Sequence, residues 1–152
     1  MKTLEMMNQE ADKVILKWSA GGLIGNLAPP PADTIAVVAA MTKMGVDIAK
    51  VYGVSIGWDE LKKIAWMIFK GAGAVNIAAN IGTSLFKYIP GVNVLVALLV
   101  QPPIVAALSY TTGKTYKKYF ISVLTKGKGL SDDEIKKLAK QTFKEEKNKN
   151  KN

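Results

Sequence analysis

The 152-residue sequence contains no cysteine, no histidine and no arginine. The absence of cysteine excludes disulfides, thiolate nucleophiles and cysteine zinc sites, and the absence of histidine excludes imidazole acid–base chemistry. All 21 cationic side chains are therefore lysines. Proteins that read nucleic acids usually make bidentate contacts through arginine. The lack of arginine therefore disfavours a nucleic acid as the partner.

The net charge of +9 is unevenly placed along the chain. Residues 114–152 carry twelve lysines and five acidic residues, whereas residues 1–113 carry nine lysines and seven acidic residues. Lysines near an anionic membrane surface contribute about 1 kcal/mol each to binding. The basic C-terminal third therefore favours anionic headgroups as a partner, although a genome rich in Lys and Asn codons would produce the same bias.

Apolar residues recur at helical spacing in four stretches, and no stretch has the alternation of a strand. Ser131 and Glu134 form the pattern of a capping box at the start of the C-terminal stretch. Gly53 is expected to be the C′ residue that ends the helix over residues 34–52. The predicted helices cover residues 3–18, 34–52, 58–70 and 131–147. The sequence thus predicts one all-α domain over 1–147, followed by a disordered Lys/Asn tail over 148–152.

Two apolar stretches are interrupted by prolines. Residues 19–28 are small and apolar and end at Pro29–Pro31, and residues 92–108 are the most hydrophobic part of the chain. The second stretch is near the length of roughly 20 residues that a membrane span needs, but Pro102 and Pro103 would kink or split it. A buried core helix, a re-entrant hairpin and a kinked span all remain open.

The two halves of the chain resemble each other. The block at residues 58–65 aligns with residues 132–139 at an offset of 74 and has five identities in eight positions. Lys50 and Tyr52 align with Lys117 and Tyr119 at an offset of 67. Because the offsets differ by seven residues, about two helical turns, the helix faces stay in register. We therefore predict a helical bundle of two similar helical units with proline-centred hydrophobic hairpins.

No constellation of residues indicates catalysis. Gly113-Lys114-Thr115 resembles the end of a phosphate-binding loop, but Leu108 stands where that loop needs glycine. Asp33 and Asp47 are the only carboxylates within apolar sequence, and helix capping and intrahelical pairing with Lys43 and Lys50 account for them. The sequence predicts a non-enzymatic protein without a cofactor or metal.

Aromatic side chains lie close to lysines in one stretch and near the ends of apolar segments elsewhere. Trp58 and Trp66 suit a membrane interface, although core aromatics near helix ends are equally common. Stacking of a single-stranded nucleic acid on the aromatics between residues 110 and 120 is an alternative. No nucleic-acid-binding fold motif accompanies them, so this alternative is disfavoured.

The order and spacing of several short motifs resemble a known family. They are a Pro-Pro-x-Asp helix start, a Met and a Tyr-Gly near the helix end, an Ile-Pro-Gly, and a Thr-x-x-Gly before Tyr-Phe. They fall on Pro30, Pro31, Asp33, Met44, Tyr52, Gly53, Ile89, Pro90, Gly91, Thr111 or Thr112, Gly113, Tyr119 and Phe120. Over residues 20–121 the chain resembles the helical domain of unknown function that follows Era-like GTPase domains and that also occurs in the YcjF family of inner-membrane proteins.

The resemblance implies an all-helical, membrane-associated protein on the cytoplasmic side of a bacterial inner membrane. No GTPase domain occurs in this sequence, and Val-rich sequence with Pro102 and Pro103 replaces the glycines usual after Ile-Pro-Gly, so an Era-like GTPase would have to act in trans. The structural motif is expected at Pro29, Pro30, Pro31, Asp33, Tyr52, Gly53, Pro90, Gly91, Pro102, Pro103, Gly113 and Tyr119.

The function expected from these observations is that of a membrane anchor, scaffold or membrane-shaping partner. Lysines near the C-terminus are the expected contacts with the membrane surface or a partner. They are Lys114, Lys117, Lys118, Lys136, Lys137 and Lys140. The alternative is a soluble helical bundle that forms a homo-oligomer or binds a partner protein, which agrees with a charged fraction of 22%.

Overall fold

The computed structural model describes residues 2–22, 34–72 and 102–149, and these ranges form helices without β-strands. The elements are α1 (Leu4–Lys17), which continues into a π-helical segment (Trp18–Gly22), α2 (Thr34–Tyr52), α3 (Trp58–Gly71), α4 (Pro102–Lys126) and α5 (Asp132–Lys149). The all-α prediction is confirmed. Several residues of the expected motif lie outside the described residues, namely Pro29, Pro30, Pro31, Asp33, Pro90 and Gly91.

Local hydrogen bonds explain where the helices begin and end. The predicted capping box is present, because the Glu134 amide donates to the Ser131 hydroxyl at 3.2 Å and the Ser131 amide donates to the Glu134 carboxylate at 3.1 Å. These bonds hold the pKa of the Glu134 carboxyl below its ordinary value. Gly53 ends α2 with a φ of 67°, a left-handed conformation that glycine adopts without steric cost.

Helix α4 begins where the sequence suggested a kink. Pro102 and Pro103 occupy its first turn, where a missing amide proton costs nothing and the fixed φ of proline suits a helix. The helix then continues without a break through Gly113 to Lys126. The prolines therefore start a helix within the described residues, and this helix ends at Lys126.

The C-terminal helix is longer than expected. It continues to Lys149, so the first two residues of the predicted tail over 148–152 are helical. Its buried face consists of Ile135, Ala139, Thr142 and Phe143, which recur three or four residues apart as a core-facing stripe requires.

Helices α2 to α5 pack in a ring, in which α2 contacts α3 and α4, and α5 contacts α3 and α4. Helix α1 lies across α2 and α4. It runs antiparallel to α4, because Ile15 faces Gly113 while the earlier residue Asp12 pairs with the later residue Lys117 at 2.7 Å. The C-terminal end of α1 therefore lies beside the N-terminal end of α4.

Helices α2 and α4 run in the same direction. Met44 of α2 lies against Gly113 of α4. Tyr52, which comes eight residues after Met44, lies against Phe120, which comes seven residues after Gly113, and their ring centroids are 6.2 Å apart. The N-terminal ends of both helices and the C-terminal end of α1 consequently share one end of the bundle. We call this the junction end.

The described helices support the prediction of two similar units. The connections between α2 and α3 and between α4 and α5 each span five residues, and each begins with a glycine of positive φ, Gly53 and Gly127. These two glycines are separated by the predicted offset of 74 residues. The buried side chains of α3 and α5 correspond at the same offset, as Leu61 with Ile135, Ala65 with Ala139, and Phe69 with Phe143.

The change of offset from 67 to 74 is explained by the length of α4. Helix α2 ends at Tyr52, whereas α4 continues from the matching Tyr119 to Lys126. The seven additional residues make about two helical turns and keep the buried face in register. The second unit therefore carries a two-turn extension before its interhelical connection.

Aromatic side chains fill the centre of the bundle. Tyr116 and Phe120 are fully buried, with their rings stacked at a centroid distance of 5.9 Å. The Tyr116 hydroxyl donates to the Leu61 carbonyl at 2.7 Å and so satisfies its polar atom in the core. These two rings are inaccessible for nucleic-acid stacking in this fold.

The buried tyrosines predict a loss of stability at alkaline pH. Burial raises the pKa of Tyr116 above its ordinary value of 10.0, and burial together with the nearby Asp12 carboxylate raises the pKa of Tyr52. Since the unfolded chain releases these protons at about pH 10, stability is retained below that pH and falls as the pH rises above it. We expect the urea midpoint to decrease above about pH 10, and less steeply in Tyr116→Phe than in the wild type; identical slopes would contradict this assignment.

Candidate functional site

Three of the expected surface lysines lie on α4, and two of them make contacts within the chain. Lys117 pairs with Asp12 at 2.7 Å, and the Lys114 ammonium lies 4.8 Å from the centre of the Tyr110 ring. Lys118 is exposed. Only Lys118 of this group therefore presents a charge that is not already engaged by a neighbour.

These three lysines border a groove of roughly 340 Å³ between α1, α4 and α5. Ile121 and Leu138 line it with apolar carbon, and Gln141 donates to Glu145 at 3.4 Å along its α5 side. The Glu145 and Asp12 carboxylates partly neutralise the lysines. The groove is consequently amphipathic rather than strongly basic.

The other three expected lysines lie on different faces of α5. Leu138 and Glu145 face the groove, whereas Lys136 lies on the side of α3. A Cβ built on Gly71 would come 2.5 Å from the Lys136 carbonyl oxygen, so the two helix backbones touch there. Lys137 and Lys140 are exposed. The structure thus places three of the six predicted lysines at the groove and the other three elsewhere on α5.

The threonines near Gly113 are buried, although the sequence around them looked polar. Thr111, Thr112 and Thr115 have no exposed surface. Each hydroxyl donates to the carbonyl four residues earlier, at 2.7 to 2.8 Å. These bonds satisfy the hydroxyls within the helix itself, which allows a polar sequence to face the core.

Asp47 has a different partner from the one that the sequence suggested. Its carboxylate accepts a hydrogen bond from the Trp18 indole nitrogen at 3.0 Å, and it has no ion pair with Lys43 or Lys50 among the salt bridges of the described residues. The predicted intrahelical pairing is wrong. The contact joins α2 to the π-helical segment, and two residues 29 positions apart in sequence could not be paired by local spacing.

Two further motif residues have structural roles. The Tyr52 hydroxyl donates to the Asn8 side-chain oxygen at 2.7 Å and connects α2 to α1. Tyr119 packs edge-on against Phe120 with a centroid distance of 5.7 Å, and its pKa is raised mainly by burial and also by the charges of Glu60 and Asp132.

No group of three or more acidic side chains within the described ranges could hold a metal ion.

A second lysine-bearing surface lies on α3 and was missed by the sequence analysis. Lys62, Lys63 and Lys70 surround the half-buried Trp66 and Met67 at a shallow depression of roughly 490 Å³. A helical wheel of residues 58–71 would have grouped Lys62, Trp66 and Lys70, which are spaced four residues apart on one face. The count of lysines along the chain instead points to the C-terminal third as the basic region.

Comparison with known families identifies the type of domain. The family model for a domain of unknown function, DUF697, matches residues 1–148. The chain belongs to the DUF697 family. The match extends beyond the range 20–121 that the motifs covered, and it includes all described helices except the last residue of α5. No curated protein and no solved structure matches this DUF697 chain significantly.

Proposed function

We propose that this DUF697 protein is a non-enzymatic, membrane-associated helical module that acts as an anchor, scaffold or membrane-shaping partner. The apolar, proline-centred stretches around Pro29–Pro31 and Pro90–Pro103 would contact the bilayer, and the described helices would form a bundle at the membrane surface. No helix within the described ranges is long and apolar enough to span a membrane.

The junction end of the bundle supports this proposal. Segment 23–33 joins the end of α1 to the start of α2, and both of these helix ends lie at the junction end. Residues 73–101 precede the start of α4, which lies at the same end. Two apolar, proline-containing segments attached at one end can meet a bilayer from one side while the helical bundle stays in water.

The resemblance extends the proposal to a location and a partner. The module would lie on the cytoplasmic face of a bacterial inner membrane and would couple a separate Era-like GTPase to that membrane. The support is the resemblance of the sequence motifs, since the family model itself describes a domain of unknown function. GTPase capture would be measured with the full chain in native membranes.

The first test is fractionation of expressing cells, followed by an alkaline carbonate wash of the membranes. We expect the wild-type chain to stay in the washed pellet, because bilayer contact through apolar segments resists the loss of surface charge pairing. Release by carbonate would reassign the attachment to lysines alone, and full recovery in the cytosolic fraction would overturn the membrane proposal.

A soluble bundle that self-assembles or binds a partner protein is the second candidate. The described helices bury their own core of 24 apolar residues, and the groove between α1, α4 and α5 offers an amphipathic binding surface. Purification without detergent discriminates between the two. A monodisperse protein in plain buffer would favour the soluble bundle, whereas a requirement for detergent would favour the membrane module.

A further inference from the structure

Helix α3 carries apolar side chains on two faces. Its inner face packs Leu61, Ile64 and Ile68 into the core. On the outer face Trp66 packs edge-on against Phe69, with ring centroids 6.1 Å apart, and is partly buried against the core, as is Met67. Core packing accounts for the inner face but leaves the outer Trp66 and Met67 partly open.

Lysines flank the outer apolar side chains along the helix. Lys62 lies one turn before Trp66 and Lys70 lies one turn after it, and all three line the same depression together with Lys63. The lysine side chains are exposed. Asp59 is the acidic member of the lining, at the first turn of the helix, where the helix dipole stabilises a carboxylate.

Helix α5 contacts α3 through one of these lysines and near the C-terminal end of α3. Lys63 pairs with Asp132 at 3.8 Å across the two helices, and the backbone at Gly71 touches the backbone at Lys136. Every described residue that lines the depression belongs to α3. Its three lysines outnumber the single carboxylate of Asp59, so the lining carries a net positive charge that is complementary to anionic phosphates.

We propose that the outer face of α3 docks onto an anionic phospholipid surface. This inference rests on the proposed membrane function and adds the face that meets the headgroups. Lysines supply point charges for phosphates, while a tryptophan and a methionine supply an apolar surface at headgroup depth. The same chemistry places an amphipathic helix in the plane of a membrane, with its cationic side chains reaching the headgroups.

The test compares binding of the full-length protein to vesicles that contain phosphatidylglycerol and to vesicles of pure phosphatidylcholine. The variant Lys62→Gln/Lys63→Gln/Lys70→Gln removes the α3 charges. The matched control, Lys50→Gln/Lys126→Gln/Lys128→Gln, removes the same charge from exposed lysines at the end of the bundle opposite the junction end. Since a lysine near the surface contributes about fivefold, we expect the α3 variant to bind anionic vesicles on the order of 100-fold more weakly.

The controls separate charge effects from folding effects. The α3 variant loses the Lys63–Asp132 pair, but both side chains are more than half exposed, and such pairs contribute little to stability. Circular dichroism should therefore show wild-type helicity in both triple variants. The control variant should retain most of the wild-type binding, because its lysines lie outside the α3 surface.

Quenching by brominated lipids provides a second readout that does not depend on net charge. Trp66→Phe should remove most of the bromine quenching of tryptophan fluorescence, whereas Trp58→Phe should leave it in place. Trp58 is 45% exposed on the same helix and lies outside the lining of the depression. Equal losses in the two variants would contradict docking through the outer face.

The possible outcomes distinguish this inference from the proposed function. If the two triple variants bind anionic vesicles equally, the docking face is wrong while the membrane function stands. If the wild type binds no vesicles of either composition, both fail. Binding to polyglutamate without binding to anionic vesicles would also overturn the docking inference and would assign the face to an acidic protein.

Discussion

Replacing Gly113 with valine is expected to destabilise the fold by about 3 kcal/mol or more, the upper end of the overpacking range. A Cβ at this position would lie 2.5 Å from Cγ1 of Ile15 and 2.7 Å from Cε of Met44. The valine would therefore push α1 away from α4 at the point where both helices contact α2. The loss would appear as a lower urea midpoint with an unchanged slope.

A double-mutant cycle makes this prediction specific to the close approach of the helices. Gly113→Ala should cost about 1–3 kcal/mol, and Ile15→Ala about 2–5 kcal/mol through the cavity that it leaves. In the double variant the new methyl group enters the space vacated by Ile15, so the combined loss should be smaller than the two losses added. Additive losses would show that steric conflict with Ile15 is absent.

Phe120→Ala should cost about 3–5 kcal/mol, the range for removing a fully buried phenylalanine ring. Phe120 contacts the rings of Tyr52, Tyr116 and Tyr119 at centroid distances of 6.2, 5.9 and 5.7 Å. Its removal would leave a cavity between α2 and α4, and three tyrosine rings would lose their contact with Phe120.

Thermal and urea unfolding would measure this loss, with Phe120→Leu as the conservative control. Leucine keeps most of the apolar volume, so its cost should be clearly below that of alanine. A second control, Leu124→Ala, truncates a side chain on the same helix that is 45% exposed, and it should change stability by less than about 1 kcal/mol. An alanine variant at position 120 as stable as this control would contradict the central role of the aromatic cluster.

Helix positions could be predicted from local signals because those signals act over a few residues. Helix α2 occupies residues 34–52 as expected, since Gly53 provides the left-handed residue that ends it. The start of α5 follows from the reciprocal bonds between Ser131 and Glu134. Both devices involve residues within one turn of each other, so sequence spacing is sufficient to locate them.

The partners of polar side chains could not be predicted in the same way. Asp47 accepts from Trp18, and Lys117 pairs with Asp12, which lies 105 residues away in sequence. The local prediction for Asp47 was wrong because a tertiary contact replaced the intrahelical pair. Thr111 and Thr115 likewise turned inward, since their hydroxyls could be satisfied by the backbone of their own helix.

By itself, the sequence of this DUF697 protein determined the all-α class, the positions of α2 and α3, the start of α5, the matching units and the absence of thiol and imidazole chemistry, but not α4 or the end of α5. Periodicity, capping and composition are local or additive, and they need no knowledge of distant neighbours. Only the tertiary structure decided which lysines share a surface, because helix packing placed Lys114 and Lys117 against partners and brought α3 beside α5. The junction end follows from helix directions that no local pattern encodes, whereas the outer face of α3 is encoded by the four-residue spacing of Lys62, Trp66 and Lys70.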